Sequence, residues 1–399
     1  MASMTYARDK LAATTGLDGI IYVMGGMPNA YNSSDALEAY DPSTNTWSTK
    51  SPMPIARNSF AAVTGQDGKI YAIGGFTNNL TNRVDVYDPA TNTWSPGHAM
   101  PTARDFCGAA VIDGKIYVIG GGRSVSNGRL VQMYDPLTNA WTTKSPMPTS
   151  RYAMGVAVAD GKIYVIGGGL VWTSTATNIV EVYDPQTDTW STKSSMPGPR
   201  YRLAAITGPD GKIYAIGGSD GGGHLVNKVE AYDPKTDTWS SAPYLPSQRW
   251  DLAAAVGQNA TIYAIGGYSY NPYGRTNTVL AYSPVRIVSI DIKPGSYPNY
   301  FNNDGHGVIP VAILTTESFD AATVDPFSVS LDGADVRAKG KSGNAGSLED
   351  VDSDGDLDLV IQIEDVDNTY QAGEAIATLT GVTFDGTPIR GEDTICIVP

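Results

Sequence analysis

A short apolar run that ends in a pair of glycines recurs six times in the first 270 residues of the chain. The clearest copy reads Ile-Tyr-Val-Ile-Gly-Gly at residues 116–121. Such a run is typical of a buried strand, and the glycines permit a close backbone turn at its end. The pairs are 49, 46, 47, 50 and 49 residues apart and begin at Gly25, Gly74, Gly120, Gly167, Gly217 and Gly266. A period near fifty residues predicts an array of one repeated structural unit.

Each repeat contains four strand-like segments in a constant order. In the third copy, residues 104–111 precede an Asp-Gly-Lys turn, residues 116–119 and 130–134 follow as strands, and Trp141 begins the fourth. Tyr-Asp-Pro ends the third segment in five copies, and an arginine opens every copy: Arg8, Arg57, Arg104, Arg151, Arg200 and Arg249. A unit of this kind has two apolar faces that only neighbouring units can cover.

Residues 4–284 closely resemble the kelch repeat, because the arginine, the glycine pair, Tyr-Asp-Pro and the tryptophan recur together. The resemblance implies an all-β chain with a six-bladed β-propeller at residues 1–284, one four-stranded blade per repeat. The sixth copy departs from the pattern, because no tryptophan strand follows Tyr282. Three explanations stay open: a strand at residues 285–292 completes the blade, the blade has three strands, or upstream residues are missing. Residues 1–5 look like an expression-vector leader.

Composition and charge separate the two parts of the chain. No apolar run approaches the roughly 18 residues that a membrane-spanning helix needs. Residues 285–399 contain 20 acidic and six basic side chains, which accounts for the whole net charge of −14. Proteins that bind nucleic acid use basic side chains to displace its counterions, and this chain has no basic face, so nucleic acid is not an expected partner. The acidic excess points to cations instead.

The loops of the repeats divide between two faces, because antiparallel strands alternate in direction. One face carries the nearly invariant turns, and the other carries the variable loops and the residues that follow each repeat arginine. Aromatic rings beside arginine and aspartate suit a sugar or another polar ligand. The candidate ligand-binding residues on the variable face are Asp105, Arg123, Tyr152, Trp172, Tyr201, Arg202, His224, Trp250, Asp251, Tyr268, Tyr270 and Arg275.

The repeated arginines themselves are expected to be structural, bonding carbonyl groups of an adjacent blade. An anion-binding ring is the functional alternative, since guanidinium groups suit carboxylates. Some kelch-type propellers are copper radical oxidases, but this chain has only three histidines: His98, His224 and His306. Other members of the family are epimerases or lyases, and Asp105, Tyr201, Arg202 and Asp251 offer acid–base groups for such chemistry.

Beyond residue 284 the period stops, and short strand-like segments suggest a separate β-sandwich at residues 285–399. These segments lie at residues 308–314, 328–331, 357–363, 376–383 and 394–398. The part from Ile-Asp-Ile-Lys-Pro-Gly to Asp-Gly-Thr-Pro-Ile resembles a module that recurs in secreted multidomain proteins of prokaryotes. The resemblance implies an extracellular setting.

The sequence Asp-Val-Asp-Ser-Asp-Gly-Asp-Leu-Asp at residues 350–358 predicts a calcium site. Five carboxylates within nine residues repel one another, and together they can surround one hard cation that needs six to eight oxygen ligands. The predicted ligands are Asp350, Asp352, Asp354, Asp356 through its backbone carbonyl, and Asp358. The loop resembles the calcium loops of extracellular β-repeat proteins. The sequence leaves open whether Glu349 or Glu364 supplies the last ligand of the site.

Taken together, these patterns predict a secreted or cell-surface recognition protein with a structural Ca²⁺ ion. Its propeller face binds a glycan or a surface protein, and its signal peptide is not part of this sequence. A carbohydrate-active enzyme that uses the same face is the first alternative, and a structural component of a surface or matrix is the second. No nucleic acid or membrane span is expected.

Overall fold

The chain is all-β with almost no helix, as the sequence predicts, and a computed structural model describes most of it. The described residues are 1–122, 124–171, 173, 175–292, 299–302, 308–316, 319–332, 334–336, 345–354, 356–364, 373–384 and 387–398. Two compact units divide the chain, Met1–Tyr282 and Ser283–Pro399. No helix among the described residues is long and apolar enough to cross a membrane.

In the described residues of the first unit, each repeat forms one main antiparallel sheet, which gives six in succession. Two smaller sheets accompany them: Arg151–Tyr152 pairs with Gly169–Leu170, and Tyr268–Tyr270 pairs with Arg249–Trp250 and Tyr273–Arg275. The first sheet contains Ala12–Thr15, Ile21–Met24, Leu37–Asp41 and Thr46–Thr49. The second contains Ala61–Thr64, Ile70–Ile73, Val84–Asp88 and Thr93–Pro96. The third contains Gly108–Ile112, Lys115–Ile119, Val131–Asp135 and Ala140–Lys144, with a short helix at Val125–Arg129.

The remaining three sheets follow the same order but end differently. The fourth contains Gly155–Ala159, Lys162–Ile166, Val180–Asp184 and Thr189–Lys193. The fifth contains Ala204–Thr207, Ile213–Ile216, Val229–Asp233 and Thr238–Ala242. The sixth contains only Ala253–Val256, Ile262–Ile265 and Val279–Tyr282 in the described part of the chain.

Apolar clusters join each sheet to the next and the sixth sheet to the first. Ile116 and Val118 of the third sheet pack in one cluster with Ile73 and Val84 of the second. Ile265 of the sixth sheet likewise packs with Ile21 of the first. The last four residues of the second strand are buried in every sheet, because their alternating side chains face the neighbours on both sides.

A closed circle of backbone hydrogen bonds joins the six repeats at their inner ends. Each residue two positions after a repeat arginine donates its N–H to the carbonyl of its counterpart in the preceding repeat, over 2.7–3.0 Å. The first of them, Lys10, bonds the last, Asp251, at 2.9 Å. All six adopt left-handed backbone with φ of 50–55°, although none is glycine: Lys10, Ser59, Phe106, Ala153, Arg202 and Asp251. These six are the ring residues below.

The repeat arginines are structural, but they bond their own repeat rather than the adjacent one that we expected. Arg151 is typical: its side chain is fully buried, and it donates to the carbonyl of Gly167 at 2.8 Å and to Glu181 at 2.6 Å. The guanidinium thus ties the end of the second strand to the third. In the third repeat the partner of Arg104 is the neutral Gln132, at 3.0 Å.

Residues 1–5, which resemble a vector leader, are packed into the first unit. Met4 is 1% exposed and lies four residues before Arg8, as Met53 lies four residues before Arg57. The carbonyl of Ala2 accepts a hydrogen bond from the Trp47 indole at 3.0 Å. These residues therefore fill the inter-repeat position at which the sixth repeat meets the first.

The second unit has two described sheets that share one apolar core. One sheet contains Ile290–Ile292, Val308–Ile313, Asp358–Glu364 and Gly346–Glu349. The other contains Arg286–Ile287, Pro388–Val398, Gly373–Val382, Ser330–Leu331, Ala334–Asp335 and Asn299–Asn302. Short 3₁₀ turns lie at Ala321–Thr323 and Pro326–Ser328. Residues of both sheets meet in the core, for example Val311 and Leu379.

The possibility that residues 285–292 complete the sixth sheet is wrong. Arg286–Ile287 pairs with Pro388–Val398, and Ile290–Ile292 pairs with Val308–Ile313, both inside the second unit. The apolar side chains of this segment serve the second core instead. In the described residues the sixth sheet therefore has three strands.

The third and fourth repeats offer a matched test of the arginine clamp. We expect Gln132→Glu to raise the free energy of unfolding by about 1–3 kcal/mol at pH 7, since it gives Arg104 a carboxylate partner. Glu181→Gln, the reverse change opposite Arg151, should lower it by a similar amount. Urea unfolding at pH 7 measures both. A destabilising Gln132→Glu would show that the desolvation of the carboxylate outweighs the pair.

Candidate functional site

Two consecutive positions after each repeat arginine place side chains at the mouth of the ring. The first position holds Asp9, Asn58, Asp105, Tyr152, Tyr201 and Trp250, and the second holds the ring residues. Short strand pairings fix the first position against the post-glycine loop of the same repeat. Arg151–Tyr152 pairs with Gly169–Leu170, and Arg249–Trp250 pairs with Tyr268–Tyr270.

Neighbouring repeats bring five aromatic rings into one continuous arc around this mouth. Consecutive ring centroids lie 6.2–6.4 Å apart, mostly edge to face, in the order Phe106, Tyr152, Tyr201, Trp250 and Tyr268. Edge-to-face geometry is the favoured contact between aromatic quadrupoles. Four of the five rings are sequence-predicted site residues. The structure therefore unites residues that lie as much as 162 positions apart.

Arg202 lies at the centre of the aromatic arc. Its guanidinium carbon is 4.6 Å from the centroid of the Trp250 ring and 5.4 Å from those of Phe106 and Tyr201. The same group donates to Asp251 at 2.7 Å, and the arginine side chain is 23% exposed. A partly exposed cation held over aromatic faces can bond an incoming polar group without changing its own position.

A shallow cavity of about 100 Å³ lies at the centre of the mouth and is lined by all six ring residues. Lys10, Arg202 and Asp251 supply its charged groups. Burial raises the pKa of Asp251, while the nearby Arg202 and Lys10 oppose that shift. The cavity is wide enough for one functional group of a ligand rather than for a whole sugar ring.

A tyrosine-rich hairpin extends the arc outward from Tyr268. Tyr270 and Tyr273 stack with centroids 5.9 Å apart and an interplanar angle of 7°, and they are 45% and 78% exposed. Arg275 at the end of the hairpin donates to Asp9 of the first repeat at 2.8 Å. This ion pair connects the last repeat to the first directly beside the arc.

The other predicted residues of this face lie apart from the arc or outside the described chain. Asp105 occupies the first position after its arginine but is 1% exposed. His224 pairs with Asp220 at 3.0 Å within its own exposed loop. Arg123 and Trp172 lie outside the described residues. The sequence interpretation omitted Asp9 and Phe106 as site residues, although their positions after Arg8 and Arg104 match those of Trp250 and Arg202.

In the second unit, three of the five predicted calcium ligands converge. Carboxylate oxygens of Asp350, Asp352 and Asp358 lie within 4.8 Å of one another. Asp358 is fully buried, and its two oxygens accept hydrogen bonds from the N–H groups of Thr315 at 2.8 Å and Val351 at 3.1 Å. These bonds fix the loop against the sheet and hold one carboxylate toward the other two.

The other predicted ligands of the acidic loop have local partners. The carboxylate of Asp354 accepts the N–H of Asp356 at 2.9 Å, and neither residue belongs to the converging group. Glu349 accepts a hydrogen bond from the Ser347 hydroxyl at 2.6 Å. Desolvation and the charges of Asp354 and Asp358 raise the pKa of Asp352, against an opposing backbone hydrogen bond.

Family models match the repeats. The KLHDC2/KLHL20/DRC7 Kelch-repeats domain matches residues 11–196, and the Kelch motif matches residues 200–246. The solved structure of YjhT is similar over 71% of this chain and 97% of its own, with 16% identity and a TM-score of 0.61. That likeness concerns the fold alone. The comparison with curated proteins found no matching sequence.

The contact between Arg202 and Asp251 predicts strong coupling. In a double-mutant cycle with Arg202→Met and Asp251→Asn, we expect the double variant to be about 1–3 kcal/mol more stable than the sum of the single effects. Each single change leaves one charge without its partner. The control is the exposed Lys69–Asp88 pair at 3.9 Å, where coupling should stay below about 1 kcal/mol. Equal coupling in both cycles would contradict a specific pair at the mouth.

Proposed function

We propose that the kelch-repeat domains at residues 11–246 belong to a six-bladed β-propeller over residues 1–284 whose mouth recognises a glycan or a surface protein. Kelch-repeat propellers generally serve as scaffolds for protein interaction. The closed circle of ring residues and the apolar cluster between the sixth and first sheets support six blades. The two sheets with one core support a β-sandwich at residues 285–399.

The aromatic arc with Arg202 at its centre is the observation that carries the recognition proposal. Half-buried rings that contact one another lose little conformational entropy when a ligand stacks on them. Tyr270 and Tyr273 supply exposed ring faces, and Arg202 supplies charged donors a short distance inward. The exposed tyrosine rings suit the apolar face of a sugar or an aromatic side chain of a partner. The guanidinium group of Arg202 suits a hydroxyl or carboxylate group of the ligand.

A carbohydrate-active enzyme at the same mouth is the second candidate, and the presence of a carboxyl group and a phenol at one mouth favours it. Asp251 lines the central cavity and offers an acid–base group there. Tyr201 presents a phenol in the same arc, and burial raises the pKa of that group. Turnover of an acidic polysaccharide that is lost in Tyr201→Phe would favour the enzyme over the binding module.

We further propose that the acidic loop of the second unit holds a structural Ca²⁺ ion. The residues fit such an ion, because Asp350, Asp352 and Asp358 offer only oxygen ligands, which calcium prefers. Desolvation and the neighbouring carboxylates raise the pKa of Asp352, and a bound cation would offset the repulsion between these carboxylates. A calcium-dependent domain suits an extracellular or cell-surface setting, where the ion is plentiful, and we propose that setting for this protein.

The recognition proposal predicts which tyrosines matter for binding. The full chain, with Ca²⁺ present, is screened on arrays of glycans and of surface proteins, and the strongest ligand is titrated. Tyr270→Ala and Tyr273→Ala should each weaken binding by about five- to tenfold, since each removes one stacking surface.

The control for this experiment is Tyr31→Ala, in the post-glycine loop of the first repeat. Tyr31 is 92% exposed and belongs to no part of the arc, so its loss should leave affinity unchanged. If the strongest ligand is a protein and the three variants change its affinity in the same way, the mouth binds a surface protein rather than a glycan. Equal losses in all three variants, or no ligand on either array, would contradict recognition at the arc.

The calcium proposal predicts a metal-dependent thermal transition. At a Ca²⁺ concentration about 100 times the dissociation constant, the second unit should melt roughly 5–15 °C higher than in EDTA. Asp350→Asn should remove most of this shift, whereas Asp356→Asn, outside the converging group, should keep it. Calorimetry of the full chain measures the shift, and identical transitions with and without EDTA would overturn the site.

A further inference from the structure

The central cavity of the mouth has all of its charged side chains on one half. Arg202, Asp251 and Lys10 are consecutive on the circle of ring residues. The N–H of Asp251 donates to the carbonyl of Arg202 at 3.0 Å, and the N–H of Lys10 donates to the carbonyl of Asp251 at 2.9 Å. The uncharged half of the circle consists of Ser59, Phe106 and Ala153.

The single carboxylate of the cavity wall already has a partner. Asp251 accepts a hydrogen bond from Nη1 of Arg202 at 2.7 Å, and its side chain is 4% exposed. The neighbouring carboxylates, Asp9 and Asp105, do not line the cavity. Asp9 accepts instead from Arg275 at 2.8 Å. The cavity wall therefore combines two cationic side chains with one carboxylate, which leaves a net charge of +1.

Lys10 supplies the charge that this arrangement leaves over. Its ammonium group contacts the Met27 sulfur at 3.4 Å, and it forms no ion pair with a carboxylate in the described part of the chain. A thioether is a weak acceptor and does not neutralise a charge. Arg202 also keeps donor capacity, because no hydrogen bond among the described residues uses its Nη2. Two cationic donors thus line one small cavity.

We propose that Lys10 and Arg202 form an anion-binding site at the centre of the mouth, into which the ligand inserts a carboxylate group. The inference rests on the recognition function proposed above and adds the charge of the ligand and a residue, Lys10, that the sequence interpretation omitted. A cavity of about 100 Å³ accommodates a group of this size. One carboxylate balances the net charge of the wall, whereas a hydroxyl group would leave the Lys10 ammonium without a counter-charge.

The two cations suit a carboxylate in different ways. The planar guanidinium of Arg202 is already oriented by Asp251 and by the aromatic rings around it, so its remaining donors have a fixed direction. The ammonium of Lys10 is a point charge on a flexible chain, and it can move from the Met27 sulfur to an incoming oxygen. The carboxylate can belong to an acidic sugar or to an acidic side chain, since both present the same group.

The ring position of Lys10 allows its charge to be removed. Phe106 and Ala153 adopt the same left-handed backbone, and the circle of hydrogen bonds uses only main-chain groups. Lys10→Met should therefore fold with the circle intact, and Lys10→Arg keeps the positive charge. Lys69→Met is the matched control, because Lys69 pairs with Asp88 elsewhere in the second repeat and does not line the cavity.

Two pairs of small probes test the site in the full chain by ligand-observed NMR titration. Methyl β-glucuronide and methyl β-glucoside differ only in a carboxylate against a hydroxymethyl group, and propionate and propionamide differ in charge without a sugar. At least one acid should bind about tenfold more tightly than its neutral counterpart. Lys10→Met should remove most of this preference, whereas Lys10→Arg and Lys69→Met should keep it. Urea unfolding of each variant checks that the fold is retained.

The outcomes separate the source of the carboxylate and the two proposals. A preference for the glucuronide alone assigns the group to an acidic sugar, and a preference for propionate alone assigns it to an acidic side chain. Equal affinity within both pairs, no binding of either acid, or a preference that survives Lys10→Met in a folded variant would overturn the anion site. Recognition at the arc would still stand if Tyr270→Ala weakens binding of the array ligand, so the two proposals fail separately.

Discussion

Each of the six main sheets of the first unit is apolar on both faces, so each is stable only if neighbours cover both sides. The chain meets this requirement by closing on itself, with Ile265 of the last sheet packed against Ile21 of the first. The circle of ring residues completes the closure at the inner end. Left-handed backbone at a non-glycine residue costs about 1–2 kcal/mol, and the inter-repeat hydrogen bond at each ring position helps to offset that cost.

This closure also determines where chemical variation can occur. The buried arginine must be present in every repeat, because it ties the second strand to the third, as Arg151 does through Gly167 and Glu181. The two residues after it are held in position by backbone contacts, so their side chains are free to differ. That freedom lets one repeat supply Arg202 and the next supply Trp250 to a single arc. The invariant framework thus positions a site that the repeat pattern itself does not specify.

The sequence predicted the strands, the period and the structural arginines well, because each depends on local patterns of apolar and turn residues. It located the mouth from loop variation, and Tyr152, Tyr201, Arg202, Trp250 and Tyr268 do come together. The sequence could not predict contacts between distant repeats, such as the ion pair between Asp9 and Arg275, which are 266 positions apart. The sequence also could not predict the left-handed backbone of the ring residues. Glycine usually marks such positions, but Phe106 and Ala153 are not glycine. The segment at residues 285–292 was ambiguous for a similar reason, because an apolar strand does not reveal which core it enters.

The central claim is that the mouth with Arg202 at its centre, and not the opposite face of turns, contacts the ligand. Hydrogen exchange of the full chain with and without the strongest array ligand tests it most directly. We expect slower exchange at residues 151–153, 201–203 and 268–275, with the Asp-Gly-Lys turns unchanged. Protection of those turns, with the mouth unaffected, would contradict the account.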